Sequence, residues 1–197
     1  MSIHHKSIDA TFPTPMAKFK ISNNDELKEM YLDRIIQSYE NEEYKIPEGW
    51  FTKSICTSHA LLNDFQEQIV RPIPEVYMEC LNECIAEEWN GNVYLWHNVI
   101  KNGEYQEVHN HLPSFLSAIH FLQFDKNEHD LPVFLDPARG VKESRHKVKT
   151  YFDNKSCFLP DVEEGDIIVF PSYLDHFVSG GKYDKHRVTV SFNLTLN

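Results

Sequence analysis

Basic residues, glycine and long apolar runs are all scarce in this 197-residue sequence. Nineteen Lys and Arg residues stand against 30 Asp and Glu residues, giving a formal net charge of −11. This excess of negative charge argues against a protein that binds nucleic acid over a broad surface. No apolar run reaches the roughly 18 to 20 residues that cross a bilayer, and the N-terminus lacks the layout of a secretory signal. We therefore expect a soluble, cytoplasmic protein with no membrane binding and no broad nucleic-acid binding.

Paired cysteine motifs are missing as well. The four cysteines, Cys56, Cys80, Cys84 and Cys157, show no CxxC spacing, so we expect reduced thiols in the core. The chain also lacks repeats, low-complexity tracts and linker-like segments. We predict one domain over residues 1–197, with an N-terminal arm and supporting helices in 1–90 and a β-rich core in 91–197.

The first ninety residues favour helices after an extended arm. Residues 1–20 carry prolines that suit an extended arm or an edge strand. Asn23 stands three residues before Glu26, which resembles a capping box, and the apolar spacing that follows predicts a helix through Ile35. Two further helical stretches are predicted around 59–70 and over 76–89.

After Asn90-Gly91 the pattern changes to short β-rich runs separated by turn residues. Seven or eight short strands after a helical half predict a mainly β (α+β) jelly-roll barrel or sandwich, with helices packed on one outer face. In the last strand, apolar residues from Val188 to Leu196 alternate with polar ones from Arg187 to Thr195. The polar face meets either solvent or a cavity.

Three sequence features indicate a candidate metal- and ligand-binding site. His109 and His111 are two residues apart, so in a strand both imidazoles lie on one face within reach of one ion. His176 follows a strand and a Pro turn, where it could complete a three-ligand site that stays open to exogenous ligands. Arg187 lies on the polar face of the last strand and suits a carboxylate partner. Each feature alone also fits a surface pair, a turn cap or a surface ion pair.

Taken together, these residues resemble the Fe(II)- and 2-oxoglutarate-dependent oxygenases, and most closely a bacterial and phage branch with an HxH...H...R pattern. The resemblance covers the C-terminal half and rests on five segments: Trp96 to Asn98, His109 to Ser117, Asp136-Pro137, Glu164 to Ser172 with His176, and Arg187 to Asn193. It implies a double-stranded β-helix (jelly roll, cupin-like), with helices bracing one sheet.

The resemblance also implies roles for single residues. His109 and His176 would be the two histidine ligands of Fe(II), and Arg187 would bind the distal carboxylate of 2-oxoglutarate. Asn98 would contact this co-substrate, and Thr189 or Ser191 would assist Arg187.

The sequence departs from the superfamily at His111, where most members have a carboxylate. Three neutral imidazoles leave an Fe(II) site at net +2, whereas two imidazoles and a carboxylate leave +1. The alternation with His109 predicts His111 as the third ligand. Glu107 and Asp175 are the nearest carboxylates that could substitute for it or orient a ligating histidine.

The resemblance implies a dioxygenase that couples conversion of 2-oxoglutarate to succinate with hydroxylation of a small-molecule or peptide substrate. Two alternatives stay open. One is a three-His cupin-like dioxygenase that needs no 2-oxoglutarate and uses Arg187 for its substrate's own carboxylate. The other is a non-catalytic metal- or ligand-binding β-barrel. The loops at 125–131 and 138–160 are expected near the mouth, where such loops set specificity, and the aromatic N-terminal arm suggests a homodimer.

The remaining histidines receive structural interpretations. His120 either lines the cavity, where it could support the metal site, or is a hydrogen-bonded core histidine. His97 and His186 alternate with the residues of the polar face, so their side chains are expected on the opposite face of the sheet. Exposed positions are expected for His4, His5, His59, His129 and His146. Residues 142–149 form a basic segment that we interpret as a solvated loop.

Overall fold

A computed structural model describes residues 14–43, 56–57, 73–140 and 156–197, with the backbone alone for 56–57. Two helices lie in these ranges, α1 (Asn24–Glu40) and α2 (Glu75–Glu83). None of the helices described there has the length and apolar character required to cross a bilayer. Ten strands are present in the same ranges: β1 (Ala17–Lys20), β2 (Cys56–Thr57), β3 (Gly91–Asn102), β4 (Gln106–His109), β5 (Leu116–Gln123), β6 (Pro132–Leu135), β7 (Cys157–Phe158), β8 (Asp166–Pro171), β9 (His176–Val178) and β10 (Lys182–Leu196).

The strands form two antiparallel sheets that face each other. The major sheet has the order β1-β8-β5-β10-β3-β2, and the minor sheet has the order β4-β9-β6-β7. The two sheets meet through the Phe134 and Phe170 rings, which pack edge to face with centroids 4.8 Å apart. The mainly β jelly roll expected from the sequence is confirmed.

Strand β10 divides the molecule into an outer and an inner core. Its residues Val188, Val190 and Phe192 are buried on the outer face, together with Leu27 and Ile35 of α1. Because side chains alternate along a strand, the polar residues between them point into the space between the sheets. Helices thus cover one face of the major sheet, as predicted, and the polar face lines the interior.

The interior is filled at one end by aromatic and aliphatic side chains of both sheets. This inner cluster consists of Ile119, Phe121, Phe124, Phe134, Val162, Ile168, Phe170 and Leu174. Polar residues of β3 and β10, such as Asn98 and Asn193, line the rest of the interior. The fold therefore places the candidate chemistry beside this apolar cluster.

The predicted elements agree with the structure except at a few boundaries. Helix α2 ends at Glu83 rather than at residue 89, and Ile85 and Trp89 follow it as partly buried residues packed against the same outer core. The arm supplies β1, which pairs with β8 as an edge strand. The predicted helix at 59–70, most of the arm and the basic segment at 142–149 lie outside the described residues.

The exposed position predicted for His129 is wrong. Its side chain is buried because it closes the turn that begins at Asp125. The main-chain N–H of Asp125 donates to His129 Nδ1 at 3.0 Å, and His129 Nε2–H donates to the Lys185 carbonyl oxygen at 3.1 Å. His97 and His186 lie on the outer side as expected, where His97 meets Ser38 and His186 meets Glu40.

Candidate metal centre

Three histidines converge where the two sheets open. His109 ends β4 and His176 begins β9, and the two residues are direct partners in the minor sheet. His111 lies in the turn just after β4, held by a hydrogen bond from its N–H to the Ser172 carbonyl oxygen of 2.9 Å. One ring nitrogen from each histidine lies within 4.8 Å of the other two. The structure therefore brings together the three histidines that the sequence singles out.

Two of the three imidazoles are fixed in the tautomer that binds a metal through Nε2. His109 Nδ1 lies 2.8 Å from the Glu107 carbonyl oxygen, and His176 Nδ1 lies 2.9 Å from the Leu174 carbonyl oxygen. A carbonyl oxygen only accepts hydrogen bonds, so each Nδ1 carries the proton and each neutral ring keeps a lone pair on Nε2. Such outer hydrogen bonds are the usual support of ligating histidines.

The third imidazole, His111, is oriented by Asn193 of β10. The Asn193 carboxamide lies 3.4 Å from His111 Nδ1, measured to Nδ2, while Asn193 Oδ1 is buried without a hydrogen-bond partner among the described residues. A half-turn of the amide exchanges its oxygen and nitrogen. Oδ1 then accepts from His111 Nδ1–H, which satisfies the buried oxygen and leaves a lone pair on Nε2.

Burial favours the neutral form of His109 and His176. It lowers the pKa of His109 and lowers the pKa of His176 to about 3, with the neighbouring His109 adding to the second effect. Phe134 stacks on His176 at a centroid distance of 5.2 Å, and Trp96 lies 5.4 Å from His111. Three imidazole nitrogen donors in aromatic surroundings fit a divalent transition metal.

Arg187 lies inside the barrel with 2% of its surface exposed. Its Nε donates to the Asp130 carbonyl oxygen at 3.0 Å, and its guanidinium carbon lies 5.9 and 5.7 Å from the ring centroids of Phe121 and Phe124. Burial lowers its pKa to about 10, so it stays a cation at neutral pH. No carboxylate in the described part of the chain lies within ion-pair distance of it, and the nearby Asp130 carboxylate, which accepts from the Tyr183 hydroxyl, offsets only part of the effect of burial.

The remaining residues expected around the co-substrate lie between Arg187 and the histidines. Asn98 Nδ2 donates to Ser191 Oγ at 3.1 Å, and Asn98 Oδ1 is buried without a hydrogen-bond partner in the described residues. Thr189 is buried and is the direct strand partner of Asn98. These side chains form a polar strip along the inner faces of β3 and β10.

The two carboxylates considered as ligands do not join the cluster. Within the described ranges, the only group of side chains spaced for a metal contains the three histidines and no carboxylate. Glu107 orients His109 through its main-chain oxygen, and Asp175 accepts from Asn110 at 3.0 Å and pairs with Arg139 at 3.3 Å. The backbone, rather than a carboxylate, therefore supports the ligands.

The expectation that His120 could support the metal site is wrong, and its core interpretation holds. His120 lies on the outer face of β5 under the helices, where it is fully buried. Its Nε2–H donates to Asn24 Oδ1 at 2.9 Å, and its Nδ1 accepts from the Tyr77 hydroxyl at 2.8 Å. Strand alternation places it on the opposite side of the major sheet from the three histidines.

A cavity of about 480 Å³ opens beside His109 and His111. Its volume lies within the usual range for small-molecule sites. The wall combines aromatic and apolar residues with amides, hydroxyls and one carboxylate: Tyr94, Trp96, Gln106, Glu107, Asn110, Leu112, Pro113, Ser114, Asn193 and Thr195. Gln106 and the His111-orienting role of Asn193 were not anticipated from the sequence. Asn193 could have been found, since it lies on the predicted polar face.

Comparisons with known proteins identify the family. A family model described as "Putative 2OG-Fe(II) oxygenase" matches residues 94–193, half of the chain, including all three histidines and Arg187. No curated protein matches the sequence.

Solved structures show the same fold at low identity. A prolyl-4-hydroxylase from Pseudomonas putida is 9% identical with a TM-score of 0.57, covering 93% of this chain and 94% of that one. AviO1 from Streptomyces viridochromogenes Tue57 is 10% identical with a TM-score of 0.64, covering 92% and 90%. The epimerase SnoN, solved with Fe3+ and alpha ketoglutarate, is 13% identical with a TM-score of 0.61, covering 92% and 79%. With the family match over half its length, this chain belongs to the 2OG-Fe(II) oxygenases, enzymes that use Fe(II) and 2-oxoglutarate.

Proposed function

We propose that this oxygenase holds Fe(II) through Nε2 of His109, His111 and His176. The observation that carries this assignment is the convergence of three imidazoles with ligating nitrogens within 4.8 Å, two of them locked with the proton on Nδ1. Bound Fe(II) supplies the reaction with O2 that couples decarboxylation of 2-oxoglutarate to hydroxylation of a C–H bond. The protein contributes neutral ligands that need not lose a proton before binding the metal.

We further propose that Arg187 binds the distal carboxylate of 2-oxoglutarate. A buried cation with no carboxylate partner in the described residues is costly unless an anion reaches it. Bidentate pairing with a carboxylate would satisfy the guanidinium. Phe121 and Phe124 exclude water from the surroundings of the Arg187 guanidinium, which strengthens its attraction for a carboxylate.

The polar strip fits the middle of the same ligand. A half-turn of the Asn98 amide lets the Ser191 hydroxyl donate to Oδ1 and frees an N–H donor toward the interior. Thr189 lies beside it with a hydroxyl that can donate to a carboxylate oxygen. Together with three neutral imidazoles, which leave the metal its full +2 charge, these groups favour a dianion in an otherwise acidic protein.

The proposal is tested by succinate release in the presence of Fe(II), 2-oxoglutarate and O2. Each of the three components should be required, and His109→Ala and His176→Ala should abolish both metal binding and succinate formation. His186→Gln is the matched control, because His186 lies on the outer face of the strand that carries Arg187. Retention of metal and turnover in both alanine variants would refute the assignment.

The two alternative functions make different predictions in the same assay. Oxygen uptake without 2-oxoglutarate would indicate the co-substrate-free dioxygenase, and failure to bind both Fe(II) and 2-oxoglutarate would indicate a non-catalytic barrel. No feature of the site favours either alternative over the family's own chemistry.

We propose that a small molecule or a peptide segment reaches the metal through the 480 Å³ cavity, and that the cytoplasm is the compartment. Cys80, Cys84 and Cys157 are free thiols, which fits a reducing environment. Cell fractionation tests the location, and hydroxylated product from a panel of amino acids and peptides tests the substrate class.

A further inference from the structure

Strand β4 contains an irregularity beside the proposed metal ligands. Gln106 pairs with Val178 and His109 pairs with His176, so β4 uses one residue more than β9 over the same span. In a regular strand Gln106 and His109 would point to opposite faces, because they are three residues apart. The extra residue of a β-bulge turns both side chains to the same face, and bulges commonly re-aim a side chain next to an active site.

The re-aimed Gln106 reaches the metal centre. Its side chain is 9% exposed, lines the cavity, and places Nε2 at 3.1 Å from His109 Nε2. The end of the Gln106 amide therefore lies on the open side of His109, within hydrogen-bond reach of an atom bound next to that histidine.

The lone pair of His109 Nε2 can accept from the Gln106 amide or bind a metal ion, but not both. His109 Nδ1 carries the proton, since it donates to the Glu107 carbonyl oxygen. Once a metal takes the Nε2 lone pair, the buried amide N–H of Gln106 needs another acceptor. A ligand oxygen bound to the metal next to His109 is such an acceptor.

We propose that Gln106 is a positioning residue that donates a hydrogen bond from Nε2 to the keto-acid end of 2-oxoglutarate. The three histidines would hold the metal from one side, so a keto acid that bound it through two oxygen atoms would approach from the open side that Gln106 lines. An oxygen of the co-substrate would thus lie next to His109. This inference rests on the proposed binding of metal by His109, His111 and His176.

The test measures 2-oxoglutarate binding without turnover. Co(II)-loaded protein is titrated with 2-oxoglutarate by calorimetry, and the Co(II) absorption spectrum reports the coordination of the metal. Gln106→Leu should bind Co(II) as the wild type does but bind 2-oxoglutarate at least about tenfold more weakly, the lower end of effects seen for groups that support a metal site. Gln123→Leu is the matched control, since Gln123 bonds the His186 carbonyl oxygen away from the site and should leave both affinities unchanged.

A second variant distinguishes the loss of the hydrogen-bond donor at position 106 from a change in side-chain shape. Gln106→Glu has the same size but a carboxylate that only accepts, so it should bind Co(II) more tightly and 2-oxoglutarate more weakly than Gln106→Leu does. The proposal is overturned if Gln106→Leu binds 2-oxoglutarate with wild-type affinity. It is also overturned if Co(II) and 2-oxoglutarate affinities fall in parallel, which would show that Gln106 only shapes the strand around His109. Wild-type Co(II) protein that binds no 2-oxoglutarate would instead refute the proposed function itself.

Discussion

The Nε2 atoms of His111 and His176 face each other at 3.3 Å. His176 presents a lone pair there, because its Nδ1–H is donated to Leu174. When Asn193 donates to His111 Nδ1, His111 Nε2–H can donate to this lone pair and satisfies the free site. When the Asn193 amide is turned to accept from His111 Nδ1–H, both Nε2 atoms present lone pairs, which is the state that can bind a metal ion.

Loss of His111 should weaken metal binding at least about tenfold. His111→Ala removes one of three nitrogen donors and should reduce the affinity for Co(II), measured by calorimetry, without unfolding the protein, measured by circular dichroism. His186→Ala provides the control on the outer face. Metal affinity that stays at the wild-type value would show that His111 is not a ligand.

Asn193 should affect the metal affinity of the site through its hydrogen bond with His111. Asn193→Leu removes the acceptor for His111 Nδ1–H and should lower Co(II) affinity by about 10- to 100-fold, the usual effect of losing such a partner. Asn193→Asp keeps an acceptor oxygen and should retain most of the affinity. Equal losses in both variants would contradict the role given to the Asn193 oxygen.

Replacing Arg187 should abolish 2-oxoglutarate binding without lowering the thermal stability of the free protein. Arg187→Met removes a buried charge that lacks a carboxylate partner in the described residues, so thermal unfolding without ligand should occur at the same temperature as in the wild type or higher. The same variant should no longer be stabilised by 2-oxoglutarate in a thermal-shift titration. Arg34→Met, which alters an exposed ion pair with Glu43, should leave the ligand-induced shift intact. A normal shift in Arg187→Met would place the co-substrate elsewhere.

Acid should destabilise the protein through two buried histidines on the outer face. Burial lowers the pKa values of His97 and His120 to about 3, from 6.5. Below pH 6.5 the unfolded chain therefore binds protons that the folded chain does not, and the free energy of unfolding falls by about 1.4 kcal/mol per pH unit for each histidine, down to about pH 3.

Urea unfolding at pH 7.5, 6.0 and 5.0 measures this dependence. His120→Gln keeps polar atoms toward Tyr77 and Asn24 but does not titrate, so its unfolding free energy should depend less steeply on pH. The same slope in the variant and the wild type would show that His120 is not buried in its neutral form.

The sequence predicts much of this molecule because side-chain alternation is local. The period of two along Arg187 to Leu196 is sufficient to assign the inner and outer faces of β10, whereas the sequence leaves both positions open for His120 and only its contacts with Tyr77 and Asn24 place it outside the site. The pair His109 and His111 converges although β4 ends at His109.

The rest depends on contacts between distant segments. Gln106 is out of phase with His109 in the sequence, and only the extra residue opposite β9 brings them to one face. The burial of His129 depends on Lys185, 56 residues later in the chain. The support of His109 and His176 comes from main-chain oxygens, which carry no residue-specific signal.

The β1 edge of the major sheet limits self-association. Strand β8 is an apolar core strand that would pair readily with another chain, and β1 covers its outer edge with four residues. Lys18 and Lys20 of β1 are exposed and bond the main-chain oxygens of Asp161 and Glu164 at 2.8 and 2.6 Å. Among the described strands, this edge of the sheet thus ends in one that is too short and too charged to recruit a further strand. Removal of the residues up to Lys20 should therefore expose the edge of β8 and cause the protein to aggregate.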